Sequence, residues 1–251
     1  SIVQINMPHL PDGYSKDIKI KLVLTREDGR IMTTYLPSEL TYVKQKRTVY
    51  NIIFVPDPTF TCATYNVDGL PTEVFGIKIN GDGPGEEGTN KISSMIASTG
   101  WDILSFQENF TYNSQLRNSL ASQYYFGTHK NFNMLEAAFG ISKTDGLGFA
   151  TLSSTSIWSN ETFIKFDKAH GDLFDGANTC IEKGFRYYTV RLADGIEIDV
   201  YVTHMNSGSD DGHINARASQ FQQLAKYINE HRSGRPIVIM GDFNARYTRD
   251  D

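Results

Sequence analysis

Along residues 196–204 every second side chain is apolar until the last. Ile196, Ile198, Val200 and Val202 share one face of an extended chain, and His204 takes the next place on it. An apolar strand face that becomes an imidazole at its final position suggests a group set at the mouth of a core. Pro236-Ile237-Val238-Ile239-Met240 reads as a short buried strand, and it stops at Gly241-Asp242-Phe243-Asn244. Period two turns Asp242 and Asn244 the same way. Two further strand-like runs end in polar groups: the run from Phe60 ends at Asn66, and Asp102-Ile103-Leu104-Ser105-Phe106 ends at Gln107-Glu108. Taken singly, these are an Asx-rich turn, a turn cap, a solvated loop acid and a satisfied edge histidine. Four oxygen or imidazole groups at the ends of four successive strands form a constellation. A carboxylate and a carboxamide side by side can orient a water against a phosphate, or coordinate a hard cation through oxygen.

Helical periodicity appears between these strands. Thr89-Asn90 is placed to cap a helix with Ile92, Met95 and Ile96 inward and Gly100 at its stop. A longer helix is expected over about 214–231, with Phe221, Leu224, Ala225 and Ile228 repeating and Gly234 beyond. The glycine-rich stretch 81–88 lacks a Gly-Lys-Ser/Thr ending and carries two acids where a phosphate would sit, so it reads as a flexible surface loop. Upstream, 2–7, 17–24, 31–36 and 48–55 are strand-like, with turns at Pro8, Pro11-Asp12-Gly13, Glu27-Asp28-Gly29 and Pro56-Asp57-Pro58. Residues 1–58 therefore read as a small all-β, Ig-like module without visible chemistry, and 59–251 as the catalytic domain.

Composition narrows the classes. With 251 residues and 39% apolar content the chain is globular, and no apolar run approaches the ~20 residues that span a bilayer. Cys62 and Cys180 make no disulfide framework, although one bridge between them stays open, and Cys62 reads as a core residue. His9, His129, His170, His213 and His231 show no metal-ligand spacing and read as ordinary surface residues. The net charge is −5, and residues 60–251 carry 16 Lys plus Arg against 23 Asp plus Glu. Nucleic-acid binding normally needs a basic face. The densest basic group, Lys44-Gln45-Lys46-Arg47, lies outside the catalytic region. A small or lipid-embedded phosphate ester suits this surface better than a long polyanion.

The series Asn66, Gln107-Glu108, Thr203-His204 and Gly241-Asp242-Phe243-Asn244, in that order, resembles the metal-dependent endonuclease/exonuclease/phosphatase superfamily. Between Glu108 and His204, Gly146-Leu147-Gly148-Phe149-Ala150-Thr151-Leu152-Ser153-Ser154 is similar to that family's glycine-started strand. The likeness covers about residues 60 to 251. Weaker local features are similar to the neutral sphingomyelinase branch. They are Gln107-Glu108-Asn109-Phe110 with Leu116, Leu120 and Tyr124-Tyr125 after it, Cys180-Ile181-Glu182-Lys183-Gly184-Phe185-Arg186, and Thr203-His204-Met205-Asn206-Ser207.

The resemblance implies an α/β (α+β) fold, a four-layer α/β/β/α sandwich behind the small β module. It implies a divalent-metal-dependent phosphoesterase acting on a phosphodiester of a lipid or small molecule, in a sphingomyelinase-like phospholipase C reaction. Mg²⁺, or another divalent cation such as Mn²⁺, would be held by Glu108, Asn66 and Asp242. His204, Asp242 and Asn244 would be catalytic, and Asn66 and Asn206 would bind substrate. Asp242 and Asn244 would orient the attacking water, and His204 would donate to a phosphate oxygen or help the leaving group. The base stays open between Asp242 and a later histidine. Peripheral membrane contact and a secreted, cell-surface or periplasmic location go with this reading. A nuclease of the same fold and a non-catalytic binding protein on the same scaffold are the alternatives. The family pattern continues beyond Gly-Asp-x-Asn to a Ser-Asp-His, whereas this sequence ends at Arg246-Tyr247-Thr248-Arg249-Asp250-Asp251. The expectation is therefore a longer parent protein, with closing strands and an Asp-His pair missing here, and negligible hydrolysis by this stretch alone.

Overall fold

The computed structural model describes residues 21–25, 31–35, 59–138, 141–171, 181–192 and 195–245. The chain divides into two compact units, Ser1–Thr59 and Phe60–Asp251. In the first, β1 (Lys21–Thr25) and β2 (Ile31–Tyr35) pair antiparallel, with Lys21 opposite Tyr35. The strands expected at 2–7 and 48–55 lie outside the described residues.

The second unit runs β3 (Cys62–Asn66), β4 (Glu73–Val74), β5 (Ile77–Lys78), α1 (Gly85–Ala97), β6 (Ile103–Gln107), α2 (Asn113–Asn118), β7 (Tyr124–Phe126) and α3 (Met134–Ala138). It continues with β8 (Gly148–Leu152), β9 (Ser156–Lys165), β10 (Gly184–Leu192), β11 (Glu197–His204), α4 (Asp211–Glu230) and β12 (Ile237–Asp242). Two four-stranded sheets result, ordered β3-β6-β8-β7 and β12-β11-β10-β9, while β4 and β5 form a separate small ribbon.

Strand alternation builds the layers. Ile103, Leu147 and Phe149 of the first sheet meet Tyr188, Val190, Ile198, Val200, Val202 and Met240 of the second in a core between the sheets. The opposite face of the first sheet, with Leu104, Phe106 and Ala150, packs with Leu116, Ile92 and Ile96 of the helices α2 and α1. The opposite face of the second sheet, with Phe185 and Tyr201, packs with Leu224 and Ile228 of α4. Three cores between four layers make the α/β/β/α sandwich. Beside the central core, Arg186 is almost fully buried. It makes a two-bonded contact with Asp145 (2.7 and 3.0 Å) and reaches Glu161 at 2.7 Å.

Several elements differ from the sequence expectation, each for a visible reason. Helix α1 begins at Gly85, so half of the expected glycine-rich loop is helix. Thr89 lies inside it and donates its hydroxyl to the Gly85 carbonyl, while Glu86 and Glu87 sit in the first turn, where the helix dipole favours acids. Its inward stripe is Thr89, Ile92, Ser93 and Ile96; two members are polar, and the apolar Met95 points to solvent. Helix α4 starts at Asp211 because the Asp210 side chain caps it, accepting from the His213 N–H at 3.1 Å. Its Ala225 is exposed, whereas Arg217 and Gln220 are buried. Cys62 is exposed and not a core residue, because β3 is an edge strand paired only with β6 among the described residues; Cys180 lies outside them. The run 236–240 is likewise an edge, paired with β11 alone among the described residues, and Ile239 is exposed. His213, expected at the surface, is buried.

Candidate active site

The site forms where two parallel strand pairs finish together. β3 and β6 are parallel with Asn66 beside Gln107, and β11 and β12 are parallel with His204 beside Asp242. Parallel strands bring both carboxyl ends to one edge, the place where open α/β sheets put their ligands. His204 continues the Val200–Val202 face and Asp242 continues from Met240, so both project into the seam between the sheets. From the other side, Thr64, Ser105 and Gln107 face the same seam. The Ser105 hydroxyl donates to the Thr64 oxygen at 2.8 Å, Thr64 donates to Gln107 Oε1 at 3.1 Å, and Gln107 Nε2 returns to Ser105 at 3.2 Å. This closed polar ring satisfies the buried groups beneath the site.

Glu108 follows by a different device. Continued alternation would turn it outward with Leu104 and Phe106. Instead its φ is +55°, a left-handed conformation that breaks the period and swings the carboxylate inward. The turn is pinned by Gly69, whose N–H donates to the Glu108 carbonyl at 2.9 Å. A Cβ at position 69 would come 2.5 Å from that oxygen.

The four groups then meet. Asn66 Nδ2 donates to Glu108 Oε1 at 2.8 Å and to Asp242 Oδ2 at 3.0 Å. The same two oxygens lie 3.9 and 3.8 Å from His204 Nε2. Asp242 Oδ1 accepts from the Asn244 N–H at 2.9 Å, an Asx turn that fixes the carboxylate, and Asn244 Nδ2 donates to the Met205 carbonyl at 3.0 Å. Asn206 is placed elsewhere. It is buried, and its carboxamide is occupied by the His170 main chain, accepting from its N–H at 2.9 Å and donating to its C=O at 3.0 Å.

Lys183 completes the cluster. It is buried, with Nζ 3.0 Å from His204 Nε2 and donating to the Met205 carbonyl at 3.2 Å. The sequence marked Lys183-Gly184 only as a resemblance, with no role attached. Burial pushes the Lys183 ammonium down to about 8, against the pull of Glu108 and Asp242. Burial, and then the Lys183 charge, hold the His204 imidazole well below its ordinary value, so it is neutral. Its Nδ1 is buried with no hydrogen-bond partner among the described residues. Burial raises the Glu108 carboxyl, and Asp68 and Asp242 add to this, while the Asn66 bond and Lys183 oppose it. Asp68 is a second group the sequence reading left unassigned. Its Oδ1 accepts from Asn80 Nδ2 at 2.7 Å, and its N–H donates to Asn66 Oδ1 at 3.1 Å, which orients the Asn66 amide.

Two carboxylates converging on one amide, with a third acid nearby and one depressed lysine to balance them, leave excess negative charge. These are hard oxygen donors, and their geometry and charge fit a divalent cation of the Mg²⁺ or Mn²⁺ type.

The profile of the Endonuclease/Exonuclease/phosphatase family matches residues 63–251. The sphingomyelinase of Mycobacterium tuberculosis (strain ATCC 25618 / H37Rv) is 28% identical over 193 residues, which cover 76% of this chain and 35% of that protein. The chain thus spans about a third of the length of the curated relatives it matches. Among solved structures, sphingomyelinase C from Streptomyces griseocarneus superposes with a TM-score of 0.56 at 19% identity, covering 77% of this chain and 67% of that one. A double-mutant beta toxin from Staphylococcus aureus with bound magnesium ions gives 0.57 at 18% identity, over 76% and 67%. D. rerio TDP2 complexed with a single-strand DNA product gives 0.54 at 16%, over 74% and 61%. At these identities the superpositions speak to the fold.

Proposed function

Because the chain belongs to the Endonuclease/Exonuclease/phosphatase family, we propose that it carries the active site of a divalent-metal-dependent phosphodiesterase acting on a lipid or small-molecule ester. The reaction is of the sphingomyelinase-like phospholipase C type. The observation that carries the reading is the Asn66 amide bridging Glu108 and Asp242, one from each sheet, with His204 Nε2 within 3.9 Å of both. Glu108 and Asp242, with Asn66, would hold Mg²⁺ or Mn²⁺. When bound, that ion neutralises charge developing on a phosphoryl oxygen.

The chain's own groups supply the rest. Asp242, fixed by the Asn244 N–H, orients the attacking water and takes its proton. Asn244 braces the Met205 carbonyl beside it. His204 serves a phosphate oxygen or the leaving group. As it stands, its Nε2 faces the Lys183 ammonium, so donation from Nε2 requires Lys183 to withdraw or to give up that position first. Asn206 contributes by holding the loop after His204 and not by direct contact. The −7 balance of residues 60–251 and the 28% identity with a sphingomyelinase favour a choline-type ester over nucleic acid. Among the described residues no helix is long and apolar enough to cross a membrane. The proposal places the protein at the outer surface of a cell or in secretion, where a lipid ester is met from water.

The test is hydrolysis by the EDTA-stripped full-length protein with Mg²⁺ restored, on sphingomyelin vesicles, on p-nitrophenylphosphorylcholine and on single-stranded DNA. Turnover of the choline esters is expected, reduced about a hundredfold or more in Glu108→Gln. Salt-sensitive DNA cleavage without choline-ester turnover would establish the nuclease instead. Metal binding with no turnover of any substrate would establish the binding protein.

A further inference from the structure

Behind the active-site loop, three side chains from two distant parts of the sequence meet. His213 Nδ1 lies 2.7 Å from Asp210 Oδ2, and His170 Nε2 lies 3.8 Å from Asp210 Oδ1. One ligand-type atom from each residue falls within 4.8 Å of the others. Donors around a tetrahedral Zn²⁺ with bonds of about 2.0–2.1 Å stand about 3.3 Å apart. The two separations to Asp210 fall on either side of that figure. Shifts of about an ångström would close the set, and the exposed His170 side chain has room to make most of them while Asp210 keeps its hold on His213.

The backbone is shaped around the two rings. A Cβ on Gly212 would come 2.4 Å from His170 Nε2, and one on Gly208 would come 2.4 Å from the His213 ring. The rings cross at 90° with centroids 4.8 Å apart. His170 is held there by its main chain, both polar atoms of which bond the buried Asn206 carboxamide. Asn206 is itself anchored, its N–H donating to Gln220 Oε1 at 2.9 Å. His213 is buried and already aligned on Asp210. An N-cap alone explains Asp210 and its bond from the His213 N–H. It explains neither the clamped His170 main chain nor the absence of a Cβ at 212, whereas Gly208 is also required by its φ of +101°.

We propose that His170, Asp210 and His213 form a second cation site, specific for a borderline transition ion such as Zn²⁺, with water as the fourth ligand. Two imidazoles and one carboxylate suit zinc, whereas the carboxylate oxygens of the Glu108–Asp242 centre suit magnesium. The two sites are separable by ion as well as by residue. A zinc here ties the segment after β9 to the start of α4, with Asn206 between them. It thereby braces the loop that follows His204. This inference stands independently of the proposed substrate.

Calorimetric titration of EDTA-treated protein with ZnCl₂, in excess Mg²⁺, tests it. One zinc per chain is expected, bound more tightly than about 10 µM, together with a rise in melting temperature. His170→Ala and Asp210→Ser should each weaken that binding more than about tenfold. Serine keeps the helix cap, so loss of binding in Asp210→Ser reports the lost ligand. Glu108→Gln should leave zinc binding intact. Absence of such binding in the unmodified protein, its survival in either ligand variant, or its loss in Glu108→Gln would each overturn the proposal.

Discussion

Lys183→Met replaces a buried ammonium with an uncharged side chain of similar length. In the folded protein Lys183 is brought from 10.5 to about 8, with burial the largest cause. That difference corresponds to about 3 kcal/mol of differential interaction between its charged and neutral forms. Between about pH 8 and pH 10.5 the unfolded chain keeps the proton that the folded chain has released. Folding stability attributable to Lys183 therefore rises with pH through this window. Below pH 8 both states are charged, and the folded state bears the whole burial cost. The methionine variant has no such dependence. Urea unfolding of metal-free wild type and variant at about pH 7 and pH 11 reads the effect, because groups away from the Lys183 cluster titrate alike in both proteins. The stability difference, wild type minus variant, should increase by about 3 kcal/mol from the lower to the higher pH. Activity should move the other way from stability. The variant loses the cation 3.0 Å from His204 and the counter-charge to Glu108 and Asp242, so turnover at pH 7 should fall although the metal-free fold is no weaker. A stability difference that changes by less than about 1 kcal/mol over this range would show Lys183 titrating as an ordinary lysine, and the electrostatic account of the site would fail with it.

Three further outcomes follow from other parts of the molecule. In the full-length protein His204→Ala should cost about 10²–10⁴ in turnover with the circular dichroism spectrum unchanged; near-normal rates on every phosphoester would remove His204 from the chemistry. Gly241→Ala should destabilise by more than about 2 kcal/mol in chemical denaturation and displace Asp242, since a Cβ there would lie 2.0 Å from the Thr203 carbonyl oxygen at a φ of +149°. Arg186→Met should cost about 3–5 kcal/mol by stranding the Asp145 and Glu161 carboxylates. In the wild type, burial raises the Glu161 carboxyl, but bonds from Thr128 and Tyr188 and the Arg186 charge bring it below its ordinary value. Its contribution to stability is thus complete above pH 4.5 and is lost as pH falls through the lower folded value, a loss the methionine variant should show reduced in acid titration.

The strand ends were legible because period two is a property of the chain itself. Ile198, Val200 and Val202 line the inter-sheet core, and His204 continues their face into the seam. The family order of Asn66, Glu108, His204 and Asp242 was legible for the same reason, since each residue stands at or next to a strand's last residue. Helix α1 was misplaced because two of its four inward residues, Thr89 and Ser93, are polar, and an apolar pattern promotes Met95 instead. In α4 the buried face uses His213, Arg217 and Gln220, so only its later turns read as amphipathic. Cys62 and Ile239 looked like core residues because composition does not distinguish an edge strand from a central one. Lys183 and Asp68 could not be assigned, because Lys183 meets His204 only through the pairing of β10 with β11, and Asp68 nears Glu108 only through the pairing of β3 with β6. Asn206 sits next to the site in sequence, yet its carboxamide faces the other way, toward His170.

The division of the site between sheets has a consequence for how it is held. Asn66 and Glu108 belong to one sheet, and His204, Asp242 and Lys183 to the other. Across that seam the one direct hydrogen bond among Asn66, Glu108, His204 and Asp242, in the described residues, is the Asn66–Asp242 contact of 3.0 Å. Its geometry depends on how the two sheets register, and that register is set by side-chain packing in the central core. There the Phe149 and Tyr188 rings, one from each sheet, stack at 3.8 Å and 15°, and Trp158 closes edge-on against both. Tyr188 continues to Glu161 at 2.8 Å, and Arg186 joins Glu161 to Asp145 in the loop that leads into β8. A rigid aromatic stack backed by a buried ion cluster resists sliding better than aliphatic contacts alone, because rings and paired charges each accept few relative positions. The Arg186 network is thereby part of what keeps Glu108 and Asp242 within reach of one amide. Two carboxylates would otherwise repel, and the sheet packing supplies the constraint that holds them together before any cation arrives.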